Sequence, residues 1–261
     1  MTVTNGCGLT VRPGRPGPNT LLVYVVPLEG PAAAATIPIS IAVAGRSVAV
    51  DTCSRTCRTA NLMLLGGEHI DVIAGGAAGG TASFDLPALP AADGAPLLQQ
   101  VQDRMHRLRS YRVDETLGPA QPPLHATYTF EAPDRMQVDF ASGASSVWIG
   151  PTRYRRDATA GPWLAEAVGI SPPIPSFVWD LPGPDGAYVG AHVVGSEAVD
   201  GVDTQVLAFS WSAGQTLAWF RLWADTDGLV HRAAMRAQGH FMDHHYAGFD
   251  SPPIIEPPHQ E

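Results

Sequence analysis

The stretch LLQQVQDRMHRLRSYRVDETL, residues 97–117, changes period partway along, and that change decides how the chain folds. Leu97, Leu98, Val101, Met105 and Leu108 recur at helical spacing, with Gln99, Gln100, Asp103, Arg104 and Arg107 between them. This is an amphipathic helix with one buried stripe. Asp93 stands where an N-cap is expected. From Ser110 onward the period becomes two, the spacing of a half-buried strand.

The period of two persists almost to the end. LHATYTFE, RMQVDF, SVWIG, TRYRR, AYVGAHVV, TQVLAFSW, LAWFRLWAD, LVHRAAMRAQ and GHFMDHHYAGF follow one another, separated by turns. Asp225-Thr226-Asp227-Gly228 is the strongest hairpin signal among them. Tyr128 and Phe130 share a face opposite Thr127, Thr129 and Glu131; Met136, Val138 and Phe140 oppose Arg135, Gln137 and Asp139. Phe209 and Trp211 share a face with Leu207, and Trp219 with Trp223. One face of a large antiparallel sheet is thus expected to be apolar and aromatic and the other wet. Tyr128, Phe130, Met136, Phe209, Trp211 and Trp219 are the residues expected to face its core or a ligand cavity. One helix covers only part of such a face. The rest needs core side chains, the Pro-rich excursion near Trp163, or an apolar ligand.

Upstream of the helix, PALPAADGAP (87–96) breaks both periods and reads as a linker. Before it, TLLVYVV, ISIAV, SVAV, LMLL, HIDVI and TASFDL are short strands punctuated by Gly and Pro, the pattern of a β-sandwich. The expected organisation is mainly β: an Ig-like sandwich over 1–88, a linker over 89–95, and an antiparallel half-barrel packed on one long helix over 96–261.

The formal net charge is −9, without the basic footprint that nucleic-acid binding needs. Every basic residue is Arg, so lysine-based Schiff-base chemistry is excluded. No G-x-S-x-G elbow, H-E-x-x-H or P-loop occurs, and no catalytic residues are assigned. No apolar run is long enough to span a bilayer as a helix, and the start MTVTNGCGLTV lacks the regions of a signal peptide. Such a chain is either cytoplasmic or the soluble part of a longer one.

Two motifs carry metal-ligand chemistry. Cys53 and Cys57, in CSRTC, can form a disulfide, stay free or ligate a metal; Cys7 is the odd thiol. In GHFMDHHY (239–246) strand alternation puts His240, Met242 and His244 on one face and Phe241, Asp243 and His245 on the other. Imidazole and thioether donors suit copper. The plainer alternative is a solvated edge strand.

From about residue 94 to 256, the element order and the stretches EAPDRM, IGPTRYRR and WADTDGLVHR resemble the LolA-like lipoprotein-carrier superfamily, including LppX/LprG-type lipoproteins. That resemblance implies an unclosed barrel over a helical plug that carries lipid. NGCGLTVRPGRPGPNTLLVYV and GGEHIDVIAGGAAGGTASFDLP resemble the YtkA/FixH-type sandwich found in the extracytoplasmic tail of copper-resistance protein D-like membrane proteins. The pairing implies a non-enzymatic, extracytoplasmic binding module for a lipid or apolar small molecule. Its parent would be membrane-anchored through a segment before Met1. Copper accessory binding and a filled, purely structural ectodomain are the alternatives.

Overall fold

The structure, a computed structural model, describes residues 5–27, 37–54, 56–75, 79–118, 123–169, 174–180, 187–213, 216–237, 240–251 and 254–259. Eight strands come first: β1 (Asn5–Arg12), β2 (Gly17–Pro27), β3 (Ile39–Val43), β4 (Arg46–Val48), β5 (Asp51–Ser54), β6 (Cys57–Leu64), β7 (His69–Ala74) and β8 (Gly80–Asp85). They form two four-stranded sheets, ordered β1-β2-β6-β5 and β4-β3-β7-β8. The alternation within each sheet fixes the core between them: Leu21, Val23 and Leu64 meet Ile41, Ile70 and Val72, all almost fully buried.

A short strand β9 (Ala92–Asp93) and the helix α1 (Ala95–Met105) follow. The strands β10 (Ser110–Leu117), β11 (Leu124–Glu131), β12 (Arg135–Phe140), β13 (Ser145–Ile149), β14 (Thr152–Arg156) and β15 (Leu164–Ala167) run next. The chain ends with β16 (Ala187–Val199), β17 (Val202–Ala213), β18 (Thr216–Ala224), β19 (Val230–Ala237) and β20 (His240–Ala247). Together β9–β20 make one twelve-stranded antiparallel sheet, β15-β14-β13-β12-β11-β10-β20-β19-β18-β17-β16-β9. Its end strands β15 and β9 do not pair with each other, so the sheet curls over the helix without closing.

The helix covers the apolar face as its stripe requires. Leu97, Leu98, Val101 and Met105 are buried, and the Met105 sulfur accepts the Val230 backbone N–H at 3.4 Å. Its start differs from the sequence expectation. Gly94, not Asp93, occupies the N-cap, while Asp93 Oδ1 accepts the Ala95 N–H at 3.0 Å. Close approach explains the glycine: a Cβ there would strike the Leu207 side chain and the backbone at 191–192, and the Gly94 N–H donates to the Ala191 carbonyl at 2.9 Å. The Asp225–Gly228 turn forms as read. Gly228 has φ +83°, and the Asp225 carboxylate accepts the backbone N–H groups of Asp227 and Leu229, both at 2.9 Å.

The convex face is not wet throughout. Arg232 lies over the Trp223 ring there, 4.4 Å from its centroid. Trp219 also faces this side, because the register pairs it with Ser210 and Arg236, while Phe220 pairs with Phe209 on the concave side. Its ring packs at 5.5 Å from that of Tyr24, on the outward face of β2. Gly8 and Gly6 on β1 complete the contact: a Cβ at Gly8 would strike the Trp219 indole, and one at Gly6 the Phe241 ring. Trp219 therefore joins the sandwich to the half-barrel and does not line a cavity. Among the described residues, no helix is long and apolar enough to cross a membrane.

Candidate functional site

The concave face of the half-barrel is plugged from one side. Residues 174–180 run across it and bring in Phe177 and Trp179, 5 % and 0 % exposed. Their rings stack on each other at 4.9 Å, and Phe177 lies 5.1 Å from the Tyr111 ring. The Tyr111 hydroxyl pins the segment: it donates to the Ser176 carbonyl at 2.9 Å and accepts the Ser176 N–H at 3.1 Å. Asp180 accepts the Phe177 N–H at 2.9 Å and meets His106 Nε2 at 3.0 Å. Burial dominates at Asp180 and holds its carboxyl above the usual range, against the opposing charge of His106. Trp163 plays no part in this plug; it stacks under Arg156, whose guanidinium carbon lies 4.8 Å from the ring centroid.

What the plug leaves open is a cavity of about 250 Å³. Phe130, Tyr128, Val113, Phe177, Val178 and Met242 make its apolar walls, and Glu115, His244 and Tyr246 also line it. The walls follow from register: Tyr111 pairs with Phe130 and stacks on it at 4.5 Å, and Val113 pairs with Tyr128.

The polar group is a buried network. Glu115 pairs with His244 in the β10–β20 register, and both are 7 % exposed. Glu115 Oε2 lies 2.7 Å from His244 Nε2, and Glu115 Oε1 accepts the Tyr128 hydroxyl at 3.1 Å. His244 Nδ1 lies 3.0 Å from the Tyr246 hydroxyl. Burial pushes the Glu115 carboxyl up, but the hydrogen bond and charge of His244, the Tyr128 hydrogen bond and the charge of His240 together outweigh it, and the carboxyl sits below its usual value. Burial first, then the Glu115 charge, raises the Tyr128 phenol; burial, then the charges around it, raises that of Tyr246. Both phenols are neutral donors at physiological pH.

Of the residues singled out in the sequence, Tyr128 and Phe130 line this cavity. Phe209 lies in the core beside it, stacked on Phe220 at 5.1 Å, and Trp211 packs against the same core. Met136 shares the concave face but pairs with Phe130 and Trp148, away from the cavity. Glu115, Phe177 and Tyr246 were not anticipated. The signal for Glu115 was present: it alternates with Tyr111 and Val113, so it is an acid on an apolar register.

Alternation places His240, Met242 and His244 on one face, the concave one, where His244 is engaged by other side chains. Both nitrogens of His244 are taken by Tyr246 and Glu115. Among the described residues no three His, Cys, Asp or Glu side chains cluster to hold a metal. Cys53 and Cys57 are joined as a disulfide, their Cα atoms 5.2 Å apart, so neither offers a thiolate. The Cys7 thiol is free, and burial pushes it up to about 12.

No family model matches the chain, and no curated protein does. Among solved structures it is similar to the Mycobacterium tuberculosis lipoprotein LppX, at 11 % identity and a TM-score of 0.42, over 62 % of this chain and 97 % of that one. It is also similar to LprF from Mycobacterium bovis, at 13 % identity and a TM-score of 0.44, over 64 % and 99 %. At these values neither overlay transfers a ligand or a residue role to this chain.

Proposed function

We propose that this chain is a non-enzymatic, extracytoplasmic binding module that holds an apolar small molecule or lipid in its half-barrel. The observation that carries the reading is the cavity of about 250 Å³, walled by Phe130, Tyr128, Phe177 and Met242 and bounded by a polar group on one side. Small-molecule sites combine apolar walls with a few placed polar groups in this way. Each methylene buried there contributes about 0.8 kcal/mol. The Cys53–Cys57 disulfide supports an oxidising compartment. Within the same reading, the half-barrel is LolA-like, the sandwich is YtkA/FixH-like, and the parent is tethered to a membrane.

One observation favours a second reading, a structural ectodomain with a filled core: Phe177 and Trp179 already occupy much of the concave face. Native mass spectrometry separates the two. The protein is incubated with phosphatidylethanolamine–phosphatidylglycerol vesicles, recovered and sprayed under native conditions. A lipid-sized adduct that disappears on denaturation supports the carrier; a bare mass supports the filled core.

A further inference from the structure

Resting on the reading of this cavity as an apolar-ligand site, we infer that it selects the head group: it takes amphiphiles whose head donates hydrogen bonds, a hydroxyl or an amine, and rejects carboxylates.

The inference follows from counting donors and acceptors. Glu115 is ionised at neutral pH and has about four acceptor positions on its two oxygens; two are used, by His244 Nε2 and the Tyr128 hydroxyl. The donors that touch it are already committed. The Tyr128 proton points to Glu115, His244 Nε2 faces Glu115, and His244 Nδ1 faces the Tyr246 hydroxyl. Ser176 spends both its backbone N–H and its carbonyl on the Tyr111 hydroxyl. A ligand head therefore meets free acceptors and a negative charge. A hydroxyl or ammonium satisfies both, whereas a carboxylate brings acceptors only and faces the Glu115 oxygens, with the Ser176 hydroxyl as the one lining donor outside the network to meet it.

Size and surroundings agree. About 250 Å³ lies just below the roughly 300–1,000 Å³ of small-molecule pockets, which leaves room for a head and the first part of a chain. Beyond the cavity the same face continues through Leu117, Leu124 and Phe140, by the pairings Leu117–Leu124 and Ala126–Phe140. Leu124 is 61 % and Phe140 42 % exposed, an apolar track on which a tail would lie.

Three probes with one tail test this: 1-decanol, decylamine and decanoate, titrated calorimetrically into the full chain at pH 7.5. Salt at 0.15 M screens the overall charge beyond about 8 Å. The expected result is decanol and decylamine binding at least tenfold more tightly than decanoate. In Glu115→Gln, decylamine weakens about tenfold and decanoate tightens. Tyr128→Phe, which leaves the Glu115 charge in place, keeps the wild-type order even where Glu115→Gln fails to fold. Equal affinity for all three heads, or decanoate binding best, overturns the head-group inference and leaves the apolar site standing. No binding of any probe overturns both.

Discussion

Glu115 Oε2 and His244 Nε2 lie 2.7 Å apart across two neighbouring strands, although the residues are 129 positions apart in sequence. A β pairing, not a loop, brings them together, so their geometry is as fixed as the β10–β20 register. Both are 7 % exposed, which makes the pair expensive to break. Leaving one partner buried without the other costs about 3–5 kcal/mol, whereas replacing both with apolar side chains of similar volume is close to neutral. Glu115→Leu or His244→Leu alone is therefore expected to destabilise by about 3–5 kcal/mol, and the double substitution by much less. Denaturant titrations of the four proteins measure this coupling. Additive losses would show that the two side chains do not act as a pair.

The same pair sets an acid limit. Glu115 sits below its ordinary value of 4.5, so the folded state binds its proton less readily than the unfolded state. The stabilisation is fully present above about pH 4.5 and is lost as pH falls through the lower folded value. Asp114, also held low despite burial by Arg112 and Thr127, acts in the same direction, while Asp180, raised by burial, acts oppositely. Thermal melts from pH 7 to pH 3 are expected to show a falling Tm below about pH 4.5 in the wild type and a flatter profile in Glu115→Gln. Parallel profiles would remove Glu115 as a source of the acid sensitivity.

The plug trades stability against space. Phe177→Ala removes a buried ring from the cavity wall and is expected to cost about 3–5 kcal/mol. It also enlarges the cavity, so bulkier apolar ligands should bind more tightly than they do to the wild type. Calorimetry with decanol and a branched or cyclic alcohol of the same carbon number checks this. A loss of affinity for both would mean that the ring itself holds the ligand.

The disulfide stitches a short edge. Cys53 and Cys57 are four residues apart, and closing so small a loop stabilises by about 2 kcal/mol on the chain-entropy account. Cys53→Ser/Cys57→Ser should lower stability by that amount or less, without altering ligand binding in the half-barrel. Denaturant midpoints and probe affinities measured side by side test both halves of the expectation.

The helix and the meander were legible because each buries one face, and a side chain's spacing then reports its surroundings. Leu97 to Leu108 kept a helical stripe, and Tyr128 with Phe130 kept a strand face. Trp219 was misplaced because β18 is apolar on both sides: LAWFRLWA puts Ala218, Phe220 and Leu222 inward and Trp219 and Trp223 outward. When the outer side is also covered, a period of two no longer says which side is in. Phe177 and Trp179 were illegible for another reason. SPPIPSFVWDLPGP has no period, and its two aromatic rings find the concave face only through tertiary contacts with Tyr111 and Tyr246. His244 was placed on the correct face, but nothing local to it announced a partner on β10.

Gly6 and Gly8 have a consequence for the half-barrel's solubility. Without side chains, β1 lies directly against Phe241 and Trp219, and Tyr24 closes the seam. The back of β18–β20 thus carries its own permanent wrapping. Stripped of the sandwich, that back would expose the Trp219 and Phe241 rings on either side of Arg236. The sandwich thus keeps two aromatic rings on the reverse side of the half-barrel out of water.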